Sequence, residues 1–570
     1  MSARARSSRP KAGVVEMSAK SIPAASAKSI NSRFPLTTKT SEPRQPGVRP
    51  PFTLDDIKRA IPAHCFERPW YKSFAYLAYD LTMIALCIFL SLFFKQVALK
   101  VTVALCNAFH LSVSPLTSLV ADPELFSALT ANSWTSFVIP SAGLMSMFGE
   151  TAGAFFTQPL LSALTSPQLA IYCFTLSTMC VTGILIQGAF MTGVWVIGHE
   201  CGHGAFSSSK TVCDVVGLIF HSMLIVPYHS WAITHRTHHS FNANVEMDEV
   251  HVPEHVNHYL PSAAHGYLHN ARYDQSKDSL EHNRRSFITN AKAFVCEVRK
   301  LINDHNLLQR SIATSLTAGL GWIFYILLNA SGRRYKWDSV FPVNHFMPSA
   351  PLFKKSEGVS VLISNVCFGA WVFALYALAQ RSSFATIALN FIFPSLVNQY
   401  WLVVITLLQH THVSLPRYSN KSWDFLRGAL ATVDRDFGAV LNFTFHNITD
   451  THVVHHLFSY IPHYHAMDAT NAVKDMIGDW YITSDAESAP FGVMRSLWRC
   501  ATECAFVAED GHPALALADQ TIHGLRAGKT DGELASMIEN VKDSVHDQGP
   551  HAKGRDKEAE VYWFRTVHVE

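Results

Sequence analysis

Long uncharged segments constrain this chain more than any other feature of its sequence. Leu169–Gly198 contains no charged residue, and neither does Val359–Ala379 or Phe384–Leu408. Ser73–Phe94 is interrupted only by Asp80, near its start. Each segment exceeds the roughly 20 residues that an α-helix needs to cross the hydrocarbon core of a bilayer. We therefore predict transmembrane helices near 73–94, 169–198, 359–379 and 384–408.

Three histidine clusters lie at the ends of these segments or between them. They read His-Glu-Cys-Gly-His at 199–203, His-Arg-Thr-His-His at 235–239 and His-Val-Val-His-His at 452–456. Neutral imidazole is the commonest protein ligand for iron, zinc and copper, and residues four apart on a helix share one face. The clusters therefore predict a metal centre with nitrogen ligands and enough imidazoles for two ions. The candidate ligands are His199, His203, His235, His238, His239, His452, His455 and His456.

The side of the membrane on which the clusters lie restricts the topology. Ligands of one centre must share a side, so Val215–Tyr228, between the first two clusters, is expected not to cross. An even number of segments must cross between the second and third clusters. The short connection Gln380–Ser383 pairs the last two apolar segments as a hairpin, and Ile312–Ala330 is then expected to be partly embedded. We predict an all-α membrane protein with four transmembrane helices in two hairpins, interfacial helices and a cap that holds the metal centre.

Basic residues predict the orientation. Residues 1–72 carry 14 Lys and Arg and residues 201–310 carry ten, whereas 95–168 carry two. By the positive-inside rule, the termini, the cap and all the histidine clusters face the cytosol. The net charge of +2 gives no indication of nucleic-acid binding.

The two ends of the chain differ in composition from the middle. Residues 1–48 are basic, rich in Ser, Ala and Pro, and contain no apolar run, so we predict a disordered tail. Residues 49–510 are expected to form the membrane domain. Residues 511–570 are expected to be a polar C-terminal tail.

Motifs outside the clusters are also distinctive. Ala-Ile-Pro-Ala-His-Cys-Phe occupies 60–66, Thr-Gly-Val-Trp-Val-Ile-Gly precedes the first cluster at 192–198, and Phe-His-Asn-Ile-Thr-Asp-Thr precedes the third at 445–451. Together with the clusters, these motifs resemble the membrane fatty acid desaturase superfamily, and most closely its endoplasmic-reticulum delta-12 (oleate) desaturases. The resemblance covers roughly residues 50–510. This chain departs from the pattern at Gly204 and in an insertion between the first two predicted spanning helices.

The resemblance implies an enzyme that uses O2 and two iron ions to introduce a cis double bond into a fatty acyl chain, most specifically oleoyl to linoleoyl. An omega-3 or bifunctional desaturase and a hydroxylase or epoxygenase variant share this scaffold and remain alternatives. The superfamily also implies a ninth histidine ligand at the cytosolic end of the fourth helix. At that position we favour His410 over His412.

Two sets of carboxylates lie near the clusters. The first set is able to orient ligand imidazoles through their second N–H groups, although a surface or capping role is the simpler expectation. Its members are Asp434, Asp436 and Asp450. The second set is expected to be a solvated face and consists of Glu246, Asp248 and Glu249.

Desaturation needs external electrons. The sequence contains neither the His-Pro-Gly-Gly motif of a fused cytochrome b5 domain nor a Gly-x-Gly-x-x-Gly dinucleotide motif. A separate carrier is therefore expected: cytochrome b5 with its NADH-dependent reductase if the protein is in the endoplasmic reticulum, or ferredoxin if it is in a plastid membrane.

Two other classes of protein fit part of the pattern. His199-Glu200-x-x-His203 also matches the zinc protease motif, in which the glutamate is the general base. An intramembrane metalloprotease would leave the other two clusters without a role. A metal transporter would place its ligands inside the membrane rather than at helix ends and in polar loops. The desaturase interpretation accounts for all three clusters.

Overall fold

The described part of the chain is mostly helical, as predicted. The computed structural model describes residues 49–111, 166–253, 255, 307–333, 335, 343–484, 491–504, 506–509 and 561–565. The predicted N-terminal tail and most of the insertion before the second spanning helix lie outside these residues.

Within the described residues, four helices are long and apolar enough to cross a membrane, which confirms the predicted number. Span 1 is Trp70–Ser91, span 2 is Pro167–His203, span 3 is Lys355–Arg381 and span 4 is Phe384–His410. At about 1.5 Å per residue, a helix as long as span 2 exceeds the hydrocarbon core of about 30 Å. Its last turns, which carry the first histidine cluster, can therefore extend beyond the apolar layer.

Spans 2 and 4 pack closely against each other. Gly188 of span 2 permits this approach, because a Cβ at that position would lie 2.4 Å from the Cβ of Val397 in span 4. Closer to the histidines, Val194 and Ile197 of span 2 share one buried apolar cluster with Leu408 of span 4. Close packing fixes the positions of the two helix ends that carry His203 and His410.

A bent pair of helices follows span 2. Lys210–Met223 and Tyr228–Phe241 meet at an angle of 109°, so they form a broken span or a re-entrant element. Gly217 lies against the ring of Tyr228, where a Cβ would be 2.2 Å from the nearest ring carbon. The bend brings the second histidine cluster, on Tyr228–Phe241, beside the end of span 2.

The remaining helices are short or lie beside the spans. Leu54–Ala60 begins with a capping box, in which Thr53 accepts from the backbone N–H of Asp56 and the Asp56 carboxylate accepts from that of Thr53. The other α-helices are Phe94–Ala108, Leu307–Leu328, Phe425–Ala429, Ala439–Thr444, His452–Leu457, His463–Ile477 and Gly492–Glu503.

In the described part of the chain, two small sheets supplement the helices. One pairs Asp434–Arg435 with Thr483–Ser484 in parallel. The other has three antiparallel strands, in which Val561–Arg565 lies between Pro416–Tyr418 and Phe506–Glu509. We call Val561–Arg565 the C-terminal strand. It lies within the predicted polar C-terminal tail, yet its side chains from 561 to 564 are buried.

Candidate metal centre

Five histidines, drawn from all three clusters, converge on one point, and we call them group A. The Nε2 atom of His199 is 2.8 Å from that of His235 and 3.3 Å from that of His203. The Nε2 atom of His239 is 3.2 Å from that of His235. His455 completes the group, and one ligand atom from each of the five lies within 4.8 Å of all the others.

A second set of histidines, group B, lies beside the first. His238, His410 and His456 place one ligand atom each within 4.8 Å of the others. His452 joins them, because its Nε2 atom is 3.1 Å from that of His410 and its ring centroid is 4.7 Å from that of His456. The structure thus brings together all eight cluster histidines and His410.

The two groups are interleaved rather than built from separate clusters. In the second cluster, the histidines four residues apart belong to group A, while His238 belongs to group B. In the third cluster, His455 belongs to group A, whereas His452 and His456 belong to group B. The rings of His239 and His456, one from each group, stack with centroids 4.0 Å apart. Histidines three and four residues apart lie on the same side of a helix but at slightly different angles, so one cluster can supply ligands to two adjacent groups.

The chemistry of these side chains fits bound metal ions. Within the described residues, Nε2 of His455 and both ring nitrogens of His456 are buried without a hydrogen-bond partner. Burial lowers the pKa of His455 to about 3 and holds the pKa values of His452 and His456 well below the usual range. The rings are therefore neutral near pH 7, and each has a lone pair available for a cation. A nitrogen-rich donor set of this kind suits iron, zinc or copper.

Asp248 supports group B, contrary to the expectation that it lies on a solvated face. Its side chain is 1% exposed, and its Oδ1 atom accepts from Nδ1 of His238 at 2.8 Å. The same oxygen accepts from the backbone N–H groups of Val250 and His251. This bond fixes the His238 tautomer with Nε2 facing group B. Glu249 is also buried and pairs with Arg333 at 2.7 Å.

Asp434, Asp436 and Asp450, for which an orienting role is the less favoured expectation, have partners other than imidazoles. Asp434 accepts from the backbone N–H of Val453 at 2.8 Å and from the Tyr481 hydroxyl at 2.7 Å. Asp436 and Asp450 both accept from the Asn442 side chain. Asp434 thus holds the helix that carries the third cluster, and none of its described side-chain hydrogen bonds reaches an imidazole.

Glu200, inside the first cluster, faces away from both groups. Its carboxylate accepts from Nδ1 of His463 at 2.8 Å and from the backbone N–H of the same residue. The general base of a metalloprotease must face the metal-bound water, so this geometry does not support the protease alternative. A similar buried pair joins His446 to Asp80 of span 1, with Nε2 and Oδ2 2.7 Å apart. Neither pairing is predictable from the sequence, because the partners are 263 and 366 positions apart along the chain.

Among the described residues, His412 lies outside groups A and B. Its Nδ1 atom accepts from the backbone N–H of Ser414 at 3.1 Å. A third set, His64, His465 and Asp468, has ligand atoms within 4.8 Å of one another. The His64 and Asp468 side chains are 52% and 62% exposed and lie 3.5 Å apart, so an ordinary surface ion pair explains this contact.

An apolar cavity of about 260 Å³ opens from the two groups. Five of their histidines contribute to its wall: His199, His235, His238, His410 and His452. The rest of the wall consists mainly of apolar and aromatic side chains, among them Trp195, Trp231, Trp322, Leu402 and Phe564. A cavity of this composition suits a hydrocarbon chain that passes beside the metal centre.

Comparison with known proteins identifies the family. The fatty acid desaturase model matches residues 176–331 and 262–485. A delta-12 fatty-acid desaturase of Vernicia fordii is 36% identical over 469 residues, which make up 82% of this chain and 91% of that protein. The chain belongs to the fatty acid desaturase family. It is therefore an acyl-lipid desaturase, an oxidoreductase, as its histidine clusters and motifs imply.

Other relatives show the range of this family. An omega-6 fatty acid desaturase, endoplasmic reticulum isozyme 1, of Glycine max is 36% identical over 467 residues, covering 82% of this chain and 89% of that protein. An oleoyl-12-hydroxylase of Ricinus communis is 35% identical over 467 residues, with the same coverage. The model of a domain of unknown function (DUF3474) matches residues 14–88. The relatives therefore include both desaturases and a hydroxylase.

Proposed function

We propose that this desaturase converts oleoyl to linoleoyl groups by introducing a cis double bond at the delta-12 position. The observation that carries the proposal is the apolar cavity whose wall includes histidines of both groups. A hydrocarbon chain in this cavity lies directly beside the metal centre. The delta-12 and omega-6 names of the relatives in Vernicia fordii and Glycine max support the position of the double bond.

We also propose that groups A and B each hold one iron ion. Bound iron supplies, with O2 and two electrons, the oxidising power needed to remove hydrogen from an unactivated methylene. The proposed ligands of the first ion are those of group A: His199, His203, His235, His239 and His455. Those of the second are the histidines of group B: His238, His410, His452 and His456.

The surrounding residues hold this site in place and limit the access of water. Asp248 orients His238, and Trp231 stacks on His235 with ring centroids 4.6 Å apart. Tyr325 donates to the hydroxyl of Thr234, the residue before His235, at 3.1 Å. Most of the cavity wall is apolar, so a bound acyl chain displaces little ordered water and is positioned by shape.

Expression in a yeast whose own fatty acids are no more than monounsaturated tests the proposed reaction. Linoleate in the extracted lipids is the expected result, because oleoyl groups are abundant there. A hydroxylated oleate instead would support the hydroxylase alternative represented by the Ricinus communis relative. An unchanged fatty acid profile from correctly inserted protein would contradict both.

The assignment of His410 as a ligand has its own test. His410→Ala is expected to abolish product and to lower the iron content, because Nε2 of His410 lies within 3.2 Å of two histidine nitrogens of group B. His412→Ala is the matched control, since its ring contacts neither group, and is expected to retain both iron and activity. Iron content measured on the two purified variants shows which histidine is the ligand. Loss of iron from the His412 variant, with full iron content in the His410 variant, would reverse the assignment.

We further propose an endoplasmic-reticulum location with the termini and the metal centre on the cytosolic side, where cytochrome b5 and its NADH-dependent reductase supply electrons. The excess of Lys and Arg in 1–72 and 201–310 supports this orientation and favours an acidic carrier. Product formation by reconstituted protein is then expected to need cytochrome b5 and to fall as ionic strength rises. Full activity with ferredoxin alone would contradict the proposal and favour a plastid location.

A further inference from the structure

The C-terminal strand is built as an interior element. It is the middle strand of its sheet, and the exposed fraction of its side chains from Val561 to Phe564 does not exceed 7%. Four consecutive buried side chains indicate a strand that is covered on both faces. The strands that pair with its two edges are Pro416–Tyr418 and Phe506–Glu509.

The two faces of this strand contact different parts of the protein. Tyr562 and Phe564 belong to an apolar cluster with Leu415, five residues after His410. Val561 and Trp563 lie on the opposite face, in a cluster that includes Ala243. Ala243 follows the second histidine cluster, so the strand lies against both segments that lead away from the metal centre.

Phe564 extends from the strand to the cavity. Its ring, 2% exposed, forms part of the cavity wall together with Thr411, the residue after His410. The guanidinium carbon of Arg417 lies 5.2 Å from the centroid of the same ring. Arg417 is fully buried, and its Nη2 atom donates to the backbone carbonyl of His410. The ring therefore borders the space beside group B and also packs on the side chain that holds His410.

We propose that Phe564 is a specificity-determining residue of the acyl site. Its ring forms part of the wall of the cavity that also borders His410 of group B, and its bulk there limits how far an acyl chain can slide past the metal centre. The position of the chain decides which methylene groups face the ions, so Phe564 contributes to the position of the double bond. The proposal rests on the proposed function, because it requires that the acyl chain occupy this cavity.

Two substitutions of opposite size test the proposal. Phe564→Leu shortens the wall, so we expect the double bond to spread to neighbouring positions and the affinity for the acyl chain to fall about tenfold. Phe564→Trp fills the cavity, so we expect a shift of preference towards shorter acyl chains. Trp563→Leu is the matched control: it shortens the adjacent aromatic residue of the same strand, but its side chain lies on the other face. It is expected to give the products of the parent protein.

The measurements separate specificity from folding and from the proposed reaction. Product positions are read by mass spectrometry of derivatised fatty acids, and binding by quenching of protein tryptophan fluorescence with a dibrominated stearoyl chain. Unchanged product positions, chain-length preference and binding in folded Phe564 variants would overturn the proposal. Equal changes in Phe564→Leu and Trp563→Leu would also overturn it, because they would show a structural role alone. If Phe564→Leu weakens binding while the parent protein forms no unsaturated product, the proposed function fails and the role of Phe564 in the cavity stands.

Discussion

Replacing Asp248 with Asn tests whether a buried carboxylate supports the metal centre. Asp248 and His238 are each 1% exposed, and the bond between Oδ1 and Nδ1 measures 2.8 Å. Asn retains an oxygen that can accept from His238 and from the backbone N–H groups of Val250 and His251. The substitution therefore removes the charge while it preserves the shape of the loop.

The size of the effect follows from the loss of that charge. A hydrogen bond to a charged group contributes about 1.5–3 kcal/mol, against about 1 kcal/mol for a neutral one. The difference of about 0.5–2 kcal/mol corresponds to roughly a twofold to thirtyfold loss of metal affinity at group B. Group A makes no contact with Asp248 in the described hydrogen bonds, so its affinity is expected to change little.

Iron binding measured against a competing chelator is the appropriate assay. The parent protein is expected to hold two irons per chain, and Asp248→Asn is expected to show one site of unchanged affinity and one weakened site. Asp436→Asn is the matched control, because Asp436 accepts from Gly438 and Asn442 rather than from a histidine. Identical binding curves for the Asp248 variant and the parent, or an equal loss in the Asp436 variant, would refute the reasoning.

Three further predictions concern stability. Gly198→Ala should lower the free energy of unfolding by about 1–3 kcal/mol, because its Cβ would lie 2.2 Å from the buried His221 ring. Gly369→Ala is the control and should leave the free energy of unfolding unchanged, because a Cβ there would meet nothing within 4 Å. Thermal unfolding in detergent measures both variants. Burial raises the pKa of Glu249 from 4.5 to about 7. Between these pH values the folded state retains a proton that the unfolded state releases, so the free energy of unfolding falls as pH rises from about 4.5 to about 7. Glu249→Gln removes this ionisation, and its Tm relative to the parent should increase from about pH 5 to about pH 8; a constant difference would contradict the assignment. Removing metal with a chelator should lower Tm, and restoring iron should reverse the change. A metal ion present at a hundredfold excess over its Kd stabilises the folded state by about 2.7 kcal/mol. An unchanged Tm would argue against metal in either group.

The sequence was most informative where the signal is local. Runs such as Leu169–Gly198 predict spanning helices because length and lack of charge alone decide whether a helix can cross a bilayer. The histidine clusters predict a metal centre because helical spacing brings the imidazoles of one cluster to one side. His410 was accessible only through the family resemblance, since a single histidine at a helix end has no pattern of its own.

Long-range contacts were not predictable in the same way. Asp248 lies in a run of acidic residues that is typical of a solvated surface, and only the fold shows that it faces His238. The C-terminal strand is a short apolar run among charged residues, and its partners are more than 50 residues away along the chain. Glu200 is similar, because its partner His463 is 263 positions distant. A single sequence contains no signal for such pairings.

The interleaving of groups A and B has a consequence for biosynthesis. Group A needs His455 and group B needs His452 and His456, so both depend on the last of the three clusters to be translated. A ribosome that has passed the second cluster has exposed only part of either set of ligands. On the proposed ligand assignment, group A is complete only when His455 has emerged and group B only when His456 has emerged, and both residues follow all four described spans. The proposed assignment therefore predicts that metal loading follows translation of all four described spans, and that a chain truncated before the third cluster lacks a complete site for either ion.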